Sequence, residues 1–150
     1  MSEIAAPTSL RLVAFDSDDL DVMSANLQDS LVKVGDMAFL PDTKQFAFLA
    51  ARFDWVGAAS GCLERCRTGL HFDRVLKVSC AGFSPRDHNV ILNLLRIGFR
   101  ETATPAGEID LIFSGGCALR LQVECLEARL TDQGERWKAK CAPGHSCCDE

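Results

Sequence analysis

The 150-residue sequence lacks tyrosine, lacks an excess of basic residues, and lacks any apolar stretch long enough to cross a membrane as a helix. Its formal net charge of −5 argues against binding to nucleic acid, because phosphate contacts need a basic surface. The first residues, Met1–Pro7, carry neither the basic nor the apolar segment of a secretion signal. We therefore expect a cytoplasmic protein that associates with neither membranes nor nucleic acid.

Sequence motifs of common enzymes are also missing. The chain has no Gly-x-Ser-x-Gly, no His-Glu-x-x-His and no glycine-rich phosphate loop. A catalytic hypothesis has to start from His71 and Asp73, which share one face of a predicted strand, since a carboxylate can orient an imidazole. A structural hydrogen bond explains the same two residues. We predict no catalytic residue, and a small-molecule enzyme using His71 and Asp73 stays the second alternative function.

Cysteine, in contrast, is abundant, with eight residues in the chain. Without an export signal these thiols should be reduced, either as small buried side chains or as metal ligands. The candidate zinc ligands occur in two clusters, one in a loop and one near the C-terminus: Cys62, Cys66, Cys141, His145, Cys147 and Cys148. Neither cluster has the paired Cys-x-x-Cys spacing of common zinc modules. We predict no metal site and no cofactor, with a zinc- or thiol-dependent protein as the first alternative function.

The clearest structural pattern is a β-hairpin over Glu108–Glu124, where two alternating apolar runs flank Gly115 and Gly116. A three-residue loop, Ser114–Gly116, pairs Leu111 with Leu119 and keeps both apolar sets on one face. A two-residue loop would put them on opposite faces. We therefore predict the three-residue loop, with Gly116 in the left-handed conformation.

A helix is predicted before the strands, capped by Asp16 or Ser17 and ending near Ser30. Its apolar stripe consists of residues spaced three or four apart, Leu20, Met23, Leu27 and Leu31. Strands then follow over 31–39 with a bulge at Gly35, over 45–55, over 67–79, and over 89–100 as a central strand covered on both faces. Residues 56–66 read as a flexible loop, and residues 125–133 favour a short helix slightly over a strand.

These elements predict one domain over 1–150, with an ordered core of about 9–138 and a flexible C-terminal tail. The predicted fold class is α+β. It comprises a mostly antiparallel, curled sheet of six to seven strands, a roll or partial barrel, with an N-terminal amphipathic helix and a possible short C-terminal helix.

A binding surface is predicted where two strands bracket the 56–66 loop. If those strands pair, Arg52, Trp55, Arg67 and His71 cluster beside the loop, and arginine and tryptophan are favoured at interaction sites. A cross-strand patch that only stabilises the sheet is the equal alternative. We therefore predict a non-enzymatic domain that binds a protein partner or itself.

Several segments resemble a family of small alphaproteobacterial proteins catalogued only as a domain of unknown function. The resemblance covers roughly residues 8 to 138 and rests on Leu10–Phe15, Gln28–Asp29, Val34–Met37, Arg52–Phe53, Arg67–Phe72, Phe113–Gly116 and Val123–Leu130. It implies no activity, cofactor or catalytic residue. Cys62, Cys66 and the C-terminal cysteines are not part of the family pattern, so a zinc site there would be peculiar to this protein.

Overall fold

Ten β-strands and two α-helices form the part of the chain that the structure, a computed structural model, describes, residues 9–139. In chain order they are β1 (Arg11–Ala14), α1 (Ser17–Leu27), β2 (Ser30–Lys33), β3 (Met37–Leu40), β4 (Gln45–Phe53), α2 (Trp55–Ala59), β5 (Glu64–Phe72), β6 (Val75–Ala81), β7 (Ile91–Glu101), β8 (Gly107–Phe113), β9 (Ala118–Val123) and β10 (Ala128–Lys138). Neither helix is long and apolar enough to span a membrane.

All strands belong to one antiparallel sheet in the order β1-β10-β5-β4-β2-β7-β8-β9-β6, with β3 paired to β4 beside β2. The sheet is not closed. The predicted α+β class and antiparallel pairing are confirmed, but the predicted count of six to seven strands is wrong.

One reason for the higher count is that two predicted strands are each divided. A 3₁₀ turn at Val34–Asp36 separates β2 from β3, where a single bulged strand was predicted. The backbone N–H of Gly35 donates to the carbonyl of His88 at 2.9 Å, and a Cβ on Gly35 would also lie 2.9 Å from that oxygen. Contact with a distant loop therefore sets this turn. The predicted 67–79 strand is divided at Asp73 and Arg74, and Arg74 has φ of +64°.

The second reason is the C-terminal segment, where the prediction of a short helix over 125–133 is wrong. Residues Ala128–Lys138 form β10, which lies between β1 and β5. Ala128, Leu130 and Asp132 alternate inward. The segment contains good helix formers, but pairing along two neighbouring strands outweighs that weak local preference.

Helix α1 covers one side of the sheet with its buried residues Leu20, Met23 and Leu27. Asp16 caps it as predicted, because its Oδ1 accepts the N–H of Asp19 at 2.8 Å. The helix ends at Leu27, not near Ser30. Leu31, predicted to continue the apolar stripe, instead lies in β2 on the exposed face of the sheet.

Strand β7 lies under α1, and Ser24 of the helix accepts the N–H of Ile97 at 2.9 Å. The prediction that both faces of this strand are covered is wrong. Leu92 and Leu94 are buried, but Ile91 is 61% exposed and Leu95 is 40% exposed. One face of the sheet therefore forms the core, and the opposite face, here called the outer face, carries apolar side chains into solvent.

The β8–β9 hairpin has the predicted register. Leu111 pairs with Leu119, and the N–H of Phe113 bonds to the carbonyl of Cys117 across a three-residue loop. Gly116 has φ of +78°, which confirms the left-handed conformation predicted for it.

Candidate protein-binding surface

The four residues predicted to form a binding cluster are divided between two faces. Strands β4 and β5 pair as predicted. Because side chains alternate along a strand, Arg52 points into the core and is 2% exposed. Arg67 and His71 lie on the outer face of β5. Trp55 begins α2, and its Nε1 donates to the carbonyl of Gln28 at 3.0 Å. Only Arg67 and His71 share an exposed surface.

Residues 56–66, predicted to be a flexible loop, contain most of α2 and the start of β5. Asp54 caps α2 by accepting the N–H of Gly57 at 2.9 Å. Arg136 of β10 forms ion pairs with both Asp54 and Glu64. These contacts attach the segment to the sheet at both of its ends.

Arg52 belongs to a buried polar cluster on the inner face. Its guanidinium makes two hydrogen bonds to Asp132, at 2.6 and 3.1 Å. The hydroxyl of Thr68 donates to the same carboxylate at 2.6 Å, and the N–H of Leu10 donates at 2.9 Å. Burial raises the pKa of Asp132, but these hydrogen bonds outweigh burial and hold the pKa below its ordinary value. The cluster is structural and is not available to a partner.

On the outer face directly opposite lies a groove of about 420 Å³ across β3, β4, β5 and β10. Its floor includes the small residues Ala38, Ala47 and Gly69, and the side-chain amide of Gln133 lies over Gly69. Leu49 and His71 form its sides, with Leu49 36% exposed. A groove with an apolar floor suits one strand, or one face of a helix, of another protein, because a side chain inserted into the groove displaces water from apolar surface.

Two arginines extend the outer face beyond the groove. Arg129 of β10 pairs in register with His71, and Arg11 of β1 pairs with Thr131, which lines the groove. Both arginines are exposed, and neither forms an ion pair with another residue in the range 9–139. A chain with a net charge of −5 therefore places two cations, neither with an ion-pair partner among residues 9–139, beside a mostly apolar groove whose lining also includes Asp36.

Asp73 approaches His71, with 3.6 Å between His71 Nε2 and Asp73 Oδ2. Asp73 also accepts a hydrogen bond from Gln45 Nε2 at 2.9 Å. Both side chains are partly exposed, but Asp73 does not line the groove. The arrangement supplies an oriented imidazole, and Thr131 is the one hydroxyl among the groove residues that the structure describes.

The two loop cysteines of the proposed zinc site lie in different surroundings. Cys66 is buried in β5, with its Sγ 3.9 Å from the Thr68 hydroxyl, while Cys62 is exposed. Burial raises the pKa of the Cys66 thiol, which disfavours the thiolate that a metal requires. Within residues 9–139 no three Cys, His, Asp or Glu side chains come together in a metal-binding arrangement. The other proposed ligands, Cys141, His145, Cys147 and Cys148, lie outside the described residues.

The sequence interpretation did not single out Arg11, Leu49, Gly69 or Arg129 as site residues. Alternation along the strands indicates that Arg11 and Arg129 point outward. Arg129 lies beside His71 because β10 pairs with β5, and Arg11 is brought to the same surface because β1 pairs with β10, at the far end of the described chain. No local pattern carries that information.

A family model described as a protein of unknown function, DUF2948, matches residues 10–145. The chain belongs to this family. The match confirms the predicted membership in a family of unknown function, and it covers β1 through β10 together with both helices. Comparisons with curated proteins and with solved structures found no match.

Proposed function

We propose that this chain is a non-enzymatic, cytoplasmic protein-binding domain. Its outer-face groove binds a segment of a partner protein that presents an aliphatic side chain flanked by carboxylates. The aliphatic side chain occupies the floor beside Ala47 and Leu49, and the carboxylates meet Arg11 and Arg129.

The observation that carries the proposal is the combination of a mostly apolar groove with two exposed arginines at its β10–β1 side that make no ion pair within residues 9–139. An acidic partner segment gains charge-assisted hydrogen bonds from guanidinium groups, which hold carboxylates in a two-pronged geometry. Burial of apolar surface supplies affinity, while the charges supply orientation and a faster association rate.

The buried cluster beneath the groove supports the proposal, because it fixes three of the four strands that carry the groove. Arg52, Thr68 and Asp132 belong to β4, β5 and β10, and their hydrogen bonds join these strands on the inner face. A preorganised surface loses less entropy when it binds. The cytoplasmic location is supported by the cysteines in residues 9–139, which are all free thiols.

The test uses a displayed library of twelve-residue peptides selected against the full chain, followed by affinity measurement of the selected peptides. The Arg11→Glu/Arg129→Glu variant should bind them at least tenfold more weakly, a change of about 1.4 kcal/mol. The matched control is Lys77→Glu on β6, the strand at the opposite end of the sheet from β1. Lys77 is exposed and makes no ion pair with any of the described residues. The control variant should change affinity less than twofold.

Affinity for these peptides should also fall as salt rises, because exposed charges are screened. Selected peptides without carboxylates, or equal binding by the Arg11→Glu/Arg129→Glu variant, would overturn the proposal. If the selected peptides instead resemble Asp16–Val22, an acidic and partly apolar segment of this chain, the partner is a second copy of the chain and not a different protein.

A further inference from the structure

A second feature lies at the opening of the curled sheet, where β3 and β6 stand on two sides of one slot without pairing. Strand β3 pairs only with β4, and β6 pairs only with β9, among the residues that the structure describes. One end of the opening is closed by a hydrogen bond from Val75 N–H to the carbonyl of Lys44 at 2.8 Å. The opening is here called the seam.

The slot at the seam has a volume of about 140 Å³. Its walls are apolar and include Met37, Phe39, Phe46, Val78, Cys80 and Phe83. Small-molecule sites usually enclose roughly 300–1,000 Å³, so this slot is too small for a metabolite or a lipid chain. It matches a single large aliphatic or aromatic side chain.

The free edge of β6 borders the slot. In the β8–β9 hairpin the N–H of Phe113 donates to the carbonyl of Cys117. The backbone N–H and C=O groups of Cys117, and of every second residue after it in β9, therefore point toward β8. Arg120 therefore bonds to its partner Ser79 in β6. Cys80, the next residue, directs its N–H and C=O away from β9 and toward the seam.

Val78, two residues before Cys80, has the same orientation, and both side chains line the slot. Proteins usually protect an exposed strand edge with proline, a charge or a bulge. The bulge of β6 lies at its start, between Val75 and Lys77, and Val78–Ala81 has none of these protections. The seam thus offers backbone donors and acceptors beside an apolar slot.

We propose that β6 accepts an extended segment of a partner protein as an added strand, with one apolar side chain of that segment inserted in the slot. Backbone hydrogen bonds to Val78 and Cys80 supply the affinity that so small a slot does not supply alone. The slot selects the residue at one position, because neighbouring residues of an added strand point away from it. The slot shares only Ala38 of β3 with the residues that line the outer-face groove, and it binds a different class of segment, one that needs no carboxylate.

The test compares Cys80→Pro with Cys80→Ala in the full chain. Proline at position 80 removes the N–H that faces the seam and leaves the bonds to β9 intact, because edge strands tolerate proline at such positions. Alanine removes the thiol but keeps the N–H. Peptides are selected from a displayed library against the Arg11→Glu/Arg129→Glu variant, so that ligands of the groove are not enriched. Their affinity is then measured for the wild type and for both Cys80 variants.

We expect selected peptides to alternate apolar and polar residues and to bind Cys80→Pro at least tenfold more weakly than Cys80→Ala, because both variants lack the thiol and only alanine keeps the N–H that faces the seam. Thermal unfolding and the amide NMR spectrum establish that Cys80→Pro is folded. If it is not, a Val78→Pro variant takes its place against Val78→Ala.

Three outcomes overturn the inference. The first is equal affinity of the peptides for the proline and alanine variants. The second is binding of a small apolar probe such as indole in the slot while no peptide is selected. The third is that the wild type dimerises in sedimentation experiments and the proline variant does not. That result would assign the β6 edge to a second copy of this chain. Failure here leaves the groove proposal intact, because its variants and its peptides are different.

Discussion

Replacing Asp132 with alanine would leave the guanidinium of Arg52 buried without a partner. Arg52 is 2% exposed and makes both of its side-chain hydrogen bonds to this carboxylate. The substitution also removes the acceptor for the Thr68 hydroxyl at 2.6 Å and for the Leu10 N–H at 2.9 Å. The affected groups lie in four strands or their ends, so the change weakens the junction of β1, β10, β5 and β4.

The expected loss in free energy of unfolding is about 3–5 kcal/mol, the usual result of removing one partner of a buried ion pair. Natural domains are stable by about 5–15 kcal/mol, so Asp132→Ala should remain folded at low temperature but unfold much more easily. For a domain of this size the corresponding decrease in Tm is on the order of 10–20 °C.

Urea unfolding followed by tryptophan fluorescence and circular dichroism measures this loss directly. The control is the double variant Arg52→Met/Asp132→Leu, which replaces the buried charges with apolar side chains. It should recover most of the stability, because burying two charges is itself costly. A loss below about 1 kcal/mol in Asp132→Ala, or a double variant no better than the single one, would refute the electrostatic interpretation.

The same carboxylate and the thiols of the chain give two further expectations. Because the pKa of Asp132 is lower in the folded state, the unfolded state takes up its proton first as the pH falls. The contribution of Asp132 to stability is therefore complete above a pH of about 4 and is lost below it. Asp132→Asn should flatten the dependence of Tm on pH in that range, and an unchanged slope would contradict the assignment. For the thiols, brief treatment of the folded protein with N-ethylmaleimide should label Cys62 and Cys80, which are exposed, and spare buried Cys66. Peptide mass spectrometry reads the result, and labelling of Cys66 as fast as Cys62 would contradict its burial.

Patterns that depend on neighbouring residues were predicted correctly. The register of the β8–β9 hairpin follows from face parity and from two glycines at the turn, and the structure has that register. The Asp16 cap follows from short-range hydrogen bonding at a helix start. The end of α1 was placed too late, because Leu31 has a suitable spacing for the helix but belongs to β2.

The predicted binding cluster groups Arg52 with Arg67 beside the 56–66 loop, whereas Arg52 is buried and Arg67 lies on the outer face. Pairing of β4 with β5 was anticipated, but Arg52 pairs with Cys66 while Arg67 pairs with Ala51. This register puts the two arginines on opposite faces of the sheet. A shift of one residue between β4 and β5 would put both arginines on the same face, so accessibility depends on register and not on proximity along the chain.

The sequence alone determined the α+β class, the acidic cap of α1, the hairpin turn and the family to which the chain belongs. These properties depend on residues a few positions apart or on similarity along the whole chain. Only the tertiary structure decided that residues 128–138 form a strand and that Arg11 and Arg129 flank a groove. It also decided that one edge of β6 has no partner strand among residues 9–139 and lies beside an apolar slot. The physical reason is that strand pairing joins distant segments, and neither the partner of a strand nor its lack of one is encoded in the strand itself.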